Sequence, residues 1–269
     1  MITNGIRQGG ILSPYLFNVY VDELSGILNS QYKGCYVGDV CANHLSYADD
    51  MVLMAPSIKA LQALINTCAS FASDNDILYN TSKTVSMTVW PKKLRYRPSP
   101  SFYLNGVQLE GVNEFSYLGH IISDTCSDDQ DMKKQTRNLY AVGNMVTRKF
   151  AKCSEEVKLS LFKTYFYNIY CCSLWANYRV RSYKMVKVAH NDVFRSLLNM
   201  PRYTSASSLF VMKNIDNLDV MMRRNMFSLE NRMLSSVNSI VKAVMNSESR
   251  MHSCIWNNFD LKLRVSMVL

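Results

Sequence analysis

Apolar and polar positions divide the chain into a mixed first part and a helical second part. Phe17, Tyr20, Val21, Leu24, Ile27 and Leu28 recur at the spacing that lines one face of a helix. Ser13 is the expected cap, and Pro14 falls at the first helical position, where its missing N–H costs nothing. His44-Leu45-Ser46-Tyr47-Ala48, then Asp49-Asp50, then Met51-Val52-Leu53-Met54 predicts a hairpin with two carboxylates at its tip. Ser57 should cap a helix running to about Ser73, with Ile58, Leu61, Leu64, Ile65, Cys68 and Phe71 on one face. Residues 84–90 alternate as a strand, and residues 115–122 read as another. Asn105-Gly106, between two short apolar runs, signals a tight hairpin.

Beyond Cys126 the pattern becomes helical. Over residues 132–152, Leu139, Val142, Met145, Val146 and Phe150 share one side. Lys133, Arg137, Asn144, Arg148 and Lys152 share the other. Further helices are predicted over 155–178, 183–199, 206–213 and 217–246, with Pro201 interrupting them. A polar tail follows. The expected division is 1–125 mixed, 126–200 helical, and 201–269 a helical extension. The fold class is α+β.

Charge sharpens that division. Residues 1–131 hold 8 Lys/Arg against 13 Asp/Glu, a net −5; residues 132–269 hold 22 against 8, a net +14. The 48% hydrophobic content is too high for a disordered tail. The basic second part points to a polyanionic partner, nucleic acid before membrane. The apolar stretch 161–178 is interrupted by Lys163, Asn168 and Asn177, so no membrane span is expected. The first residues show no apolar signal core, which points to an intracellular setting, cytoplasm or nucleus. The eight cysteines form no CxxC and no zinc-ligand pattern, so free thiols are expected.

The candidate chemistry centres on Tyr47-Ala48-Asp49-Asp50. Adjacent side chains on a regular strand point to opposite faces, so only a tight turn presents both carboxylates to one ion. Magnesium is typically held by one or two carboxylates plus substrate phosphates. Two-ion phosphoryl transfer needs a further acidic residue from another element. Upstream, Gly5-Ile6-Arg7-Gln8-Gly9-Gly10 forms a glycine-bearing loop before the first helix.

These segments resemble ordered elements of reverse transcriptases. Residues 5–24 resemble element B, Tyr47–Asp50 element C with its metal-binding hairpin, residues 78–84 element D, and Phe115-Ser116-Tyr117-Leu118-Gly119 element E, the primer grip. The basic helical part resembles the thumb and downstream region of non-LTR, LINE-type retrotransposon polymerases. Tyr170-Cys171-Cys172-Ser173-Leu174-Trp175 and Leu197-Leu198-Asn199-Met200-Pro201-Arg202-Tyr203 carry that part of the likeness. The resemblance spans about residues 4–235. It implies a truncated right-hand palm, an antiparallel sheet with packed helices, followed by an all-helical thumb and connector.

The resemblance also implies roles. Asp49 and Asp50 would hold Mg²⁺ against a deoxynucleotide triphosphate, two ions in the intact family. Lys83 would stabilise or protonate the leaving pyrophosphate. Arg7, Gln8, Gly9, Gly10 and Tyr47 would meet nucleotide and template. Tyr117, Leu118 and Gly119 would position the primer end. Lys133, Arg137, Arg148 and Lys152 would contact the phosphates of an RNA–DNA duplex. The family's upstream element A, with its aspartate, has no counterpart here. The expectation is therefore a fragment, a polymerase by descent but inactive alone. The alternative is a non-catalytic nucleic-acid-binding remnant that uses the basic helices.

Overall fold

The computed structural model describes residues 10–90 and 100–247, which divide into two units. The first comprises residues up to 88, 100–113 and 237–247. Its first helix, α1 (Ser13–Ser30), carries Pro14 in its first turn as expected, but the cap position is Leu12, which offers no side-chain acceptor. Ser13 is instead the first helical residue. Four strands follow: β1 (Cys35–Val37), β2 (Val40–Ala42), β3 (His44–Tyr47) and β4 (Asp50–Leu53). They form two antiparallel hairpins, β1–β2 and β3–β4. Helix α2 (Ile58–Asp74) is capped as predicted: Ser57 Oγ accepts from Ala60 N–H at 3.2 Å.

The predicted strand 84–90 shrinks to β5 (Val85–Ser86), which pairs in parallel with β8 (Glu110–Gly111). Between them, β6 (Tyr103–Leu104) and β7 (Val107–Gln108) flank the Asn105-Gly106 turn. Both turn residues have positive φ, 52° and 78°, the geometry that matches the twist of paired strands. Leu24 and Leu28 of α1 pack with Leu64, Cys68 and Phe71 of α2. A second cluster joins Ile65 to Phe102, Leu104 and Leu109.

The second unit holds most of the remaining chain, residues 114–236 among those described, together with 89 and 90. The single strand expected at 115–122 is a hairpin, β9 (Glu114–Tyr117) and β10 (His120–Ser123), reversed by Leu118-Gly119. Helices α3 (Asp129–Lys149), α4 (Glu155–Phe166), α5 (Val180–Leu197), α6 (Ala206–Met212) and α7 (Leu218–Leu234) follow. The helix expected over 155–178 stops at Phe166; a short 3-10 turn at Cys172–Leu174 replaces its second half. The helix expected over 217–246 breaks after Leu234. Its last part, α8 (Ser239–Asn246), is capped by Asn238 and belongs to the first unit.

One continuous core runs through the second unit, from Met132 and Val146 through Phe162, Trp175 and Phe194 to Met222. Its tightest helix pairing is α3 on α5 at Gly143. A Cβ there would lie 2.6 Å from Val193 Cγ2 and 3.0 Å from Cγ1. Alanine would raise helix propensity by about 1 kcal/mol, but overpacking typically costs about 1–3 kcal/mol. Gly143→Ala is therefore expected to destabilise, and Val193→Ala to recover part of that loss in the double variant. Urea denaturation of the three variants checks this; a stabilised Gly143→Ala would show that α3 and α5 can separate cheaply.

Both units thus mix helices with small two-stranded sheets. No described helix is long and apolar enough to cross a membrane. The seven described cysteines are free thiols; Cys254 lies outside the described residues.

Candidate functional site

The Asp49-Asp50 hairpin is seated from below. Met51 and Leu53 of β4 pack on the cluster formed by α1 and α2. At its base, buried Asn43 donates from Nδ2 to the Leu28 carbonyl at 2.6 Å, and its own carbonyl accepts from Met54 N–H at 2.8 Å. The register pairs Tyr47 with Asp50, which leaves Ala48 and Asp49 as a two-residue turn. Ala48 has φ +51°, a left-handed conformation that costs a residue with a Cβ about 1–2 kcal/mol. Such strain is concentrated where a turn has a task. Tyr47, Asp49 and Asp50 are all exposed. The turn therefore does what a flat strand cannot: it places both carboxylates at one tip, open to solvent.

Lys83 sits elsewhere in the same unit, in a turn organised by Asn80. Asn80 Oδ1 accepts from the N–H groups of Ser82 and Lys83 at 3.1 and 3.2 Å and from Ser82 Oγ at 2.7 Å. This side-chain turn holds the backbone before β5 and leaves the Lys83 ammonium in solvent, without an ion pair to Asp49 or Asp50. Of the glycine loop, only Gly10 is described. Its carbonyl accepts from Ser13 N–H at 3.2 Å. Arg7, Gln8 and Gly9 lie outside the described residues, as do the basic residues Lys92, Lys93, Arg95 and Arg97.

In the second unit, Tyr117, Leu118 and Gly119 form a hairpin end, not the middle of a strand. Leu118 (φ 46°) and Gly119 (φ 80°) are both left-handed, which only glycine adopts without penalty. Two side chains hold the turn. Tyr170 OH donates to the Leu118 carbonyl at 2.5 Å, and Lys134 Nζ donates to the Gly119 carbonyl at 2.7 Å. The Tyr170 ring lies 3.1 Å from where a Gly119 Cβ would be.

Behind that turn lies a polar cluster that periodicity did not reveal. Asp131 is fully buried. Its Oδ2 accepts from Trp175 Nε1 at 2.8 Å and its Oδ1 from Ile121 N–H at 3.2 Å. His120 Nδ1 lies 3.2 Å from Asp131 Oδ2. Asp128 accepts from the N–H groups of Ala176 and Asn177, and Asp129 from that of Arg179. The acidic start of α3 thus clamps the segment 175–179 and the first residues of β10. Burial alone would raise the Asp131 pKa, but its partners together hold it below the usual carboxylate value. The Asp131 carboxylate raises the His120 pKa, against the effect of burial. The sequence signal for this cluster was the run of acids at 128, 129 and 131, the acidic first turn expected of a helix.

Lys133, Arg137 and Arg148 are exposed on α3, and Lys152 is exposed just beyond its end. Met145, expected on the apolar side, is 41% exposed; the buried face is carried by Met132, Gln135, Thr136, Leu139, Gly143 and Val146 instead.

Comparison with known proteins gives this arrangement its class. Residues 1–122 match the model for "Reverse transcriptase (RNA-dependent DNA polymerase)". The chain belongs to the reverse transcriptases of non-LTR retrotransposons. It is 36% identical over 131 residues to a retrovirus-related Pol polyprotein from type-1 retrotransposable element R2 of Popillia japonica, 46% of this chain and 22% of that protein. It is 32% identical over 145 residues to the corresponding polyprotein of type-2 element R2DM of Drosophila melanogaster, 50% of this chain and 14% of that one. A lower likeness, 22% over 232 residues, reaches 82% of this chain and 25% of the probable RNA-directed DNA polymerase from transposon BS of Drosophila melanogaster. The chain thus matches a quarter or less of each of these three relatives.

Proposed function

We propose that this chain supplies the metal-binding hairpin and the duplex-holding helices of an RNA-directed DNA polymerase, the palm and thumb of a right-hand fold. The observation that carries the reading is the strained Tyr47–Asp50 turn, with two exposed carboxylates, inside the segment that matches the family.

The donor set fits a hard cation. Asp49 and Asp50 would hold Mg²⁺ through carboxylate oxygens, with triphosphate oxygens completing the shell. Bound there, the metal would offset the charge that develops as the primer 3′-oxygen bonds to the α-phosphorus and pyrophosphate leaves. Tyr47, beside the tip, would border the incoming nucleotide, and Gly10 with Arg7, Gln8 and Gly9 would line the nascent pair. Lys83 would neutralise the departing pyrophosphate from its exposed turn. Tyr117, Leu118 and Gly119 would place the primer end, and Lys133, Arg137, Arg148 and Lys152 would hold phosphates. Among the described residues, no group of three or more His, Cys, Asp or Glu side chains forms a metal site. A two-ion centre would then take its third carboxylate from outside this set, and the chain alone would polymerise poorly.

Two measurements test this. Mg²⁺-dependent binding of a fluorescent deoxynucleotide triphosphate should be detectable. It should weaken more than about tenfold in Asp49→Ala, the scale that even outer-shell partners of a metal carry. Primer extension on an RNA template should be near background. Metal-independent nucleotide binding, untouched by Asp49→Ala, would remove the metal role. Robust synthesis lost in Asp49→Ala would instead show a complete site. The second reading, a non-catalytic nucleic-acid binder, rests on the exposed cations of α3. It is favoured if duplex binding survives Asp49→Ala while nucleotide binding is absent.

A further inference from the structure

The cationic stripe of α3 contains a tyrosine and continues onto a neighbouring loop. At about 100° per residue, Lys133, Arg137, Tyr140 and Arg148 fall within roughly 80° of one another. Tyr140 OH donates to Asp192 Oδ2 of α5 at 3.2 Å. Asp192 Oδ1 accepts from Arg195 Nη1 at 2.8 Å, and Arg195 Nε donates to the Thr204 carbonyl at 2.8 Å. This chain of contacts ties α3, through α5, to the loop between α5 and α6. The loop is pinned at both ends: Met200 N–H donates to the Arg195 carbonyl at 2.8 Å and Thr204 N–H to the Pro201 carbonyl at 3.0 Å. Arg202 lies close enough to Tyr140 for its charge to act on the phenol.

Pro201, Arg202 and Tyr203 form the exposed tip of this loop, and Tyr203 is 89% exposed. A solitary surface aromatic needs no explanation. Tyr203 is not solitary in that sense: it stands beside an arginine, on a fixed loop, next to a line of cations, within a segment of net charge +14. Asp192 does not oppose an anion there, because Arg195 already pairs with it. Basic groups interleaved with exposed aromatics are the arrangement that tracks a phosphate backbone and stacks unpaired bases.

We propose that this surface holds the junction between a duplex and an unpaired strand. The α3 cations follow the duplex phosphates, Tyr203 stacks on the first unpaired base, and Arg202 meets the adjoining phosphate. The inference rests on the phosphate-binding reading of α3 given above. It adds a residue that distinguishes unpaired from paired nucleic acid.

Fluorescence anisotropy with the full chain tests it. The probes are a labelled DNA primer on an RNA template that extends several nucleotides past the primer, and the same hybrid with a blunt end. Tyr203→Ala should weaken overhang binding about 5- to 150-fold, the worth of one base–aromatic stack, and leave blunt-end binding unchanged. Tyr203→Phe should bind like the unmodified chain. Arg137→Gln with Arg148→Gln should weaken both probes and flatten the log–log salt slope by roughly 1.4–1.8. Equal binding of the overhang by Tyr203→Ala, with the salt slope intact, would overturn the junction role and leave phosphate binding standing. Absence of salt-dependent binding to either probe would overturn both.

Discussion

Asp131→Ala is expected to remove about 3–5 kcal/mol from the stability of the second unit, the usual cost of breaking a buried charged network by deleting one partner. The carboxylate is fully buried and serves Trp175 Nε1 and the Ile121 N–H directly, with His120 beside it. Deleting it leaves those two donors buried without acceptors, each costing about 1–3 kcal/mol. Asp131→Asn keeps one oxygen and should lose less, but its amide turns a donor toward another donor. The pH dependence has a defined sign. The depressed Asp131 pKa contributes stability above the ordinary value of 3.8, which is lost as pH falls through the folded value. The raised His120 pKa contributes stability below 6.5, which is lost as pH rises through its folded value. The difference between wild type and Asp131→Ala should thus be largest between those two limits. Urea denaturation at several pH values measures it. A loss below about 1 kcal/mol throughout would mean that water replaces the carboxylate, so that the site is wetter than its burial implies.

The contrast between two hairpins shows where local sequence stops being sufficient. Asn105-Gly106 announces its turn because both residue types adopt positive φ readily. Leu118-Gly119 makes a turn with the same sign of φ at both positions, yet a leucine there is not a turn signal. Its conformation is held by Tyr170 and Lys134, residues 52 and 15 positions away. The early end of α4 has the same origin. Phe162, Phe166, Ile169 and Cys172 keep helical spacing and are all buried, so the periodicity runs on through chain that is no longer helical. Trp175 and the backbone at 176–179 answer instead to the carboxylates that open α3. By contrast, the Ser57 cap, the inner face of α2 and the Tyr47–Asp50 hairpin depend on neighbours in sequence, and all three could be read from it. The carboxylate tip of the candidate site was legible for that reason. The hydrogen-bonded support of the Leu118-Gly119 turn was not, because its parts converge only in the folded unit.

His190→Leu should raise stability, and the gain should grow as the solution becomes more acidic. The imidazole is fully buried against Phe162, Phe194 and Phe210; its ring stacks on Phe210 and meets Phe162 edge-on. Neither ring nitrogen has a hydrogen-bond partner. A buried polar group left unsatisfied costs about 1–3 kcal/mol. Leucine removes that cost but forfeits the ring contact, worth about 0.5–1.5 kcal/mol. A net gain near 1 kcal/mol at pH 8 is therefore expected. Burial also lowers the His190 pKa from 6.5 to about 4. A depressed histidine pKa means that the unfolded chain binds the proton first, so stability is full above 6.5 and is lost as pH falls toward the folded value. The slope is about 1.4 kcal/mol per pH unit, so the advantage of His190→Leu should widen by about 2 kcal/mol between pH 6.5 and 5. His120 titrates in the same range with the opposite sign, and His44 also has a lowered pKa. Both are present in the two proteins, so the difference between their stability curves isolates His190. Parallel curves from pH 8 to 5 would mean that the ring finds a proton partner on acidification and that the aromatic core opens to water to provide it.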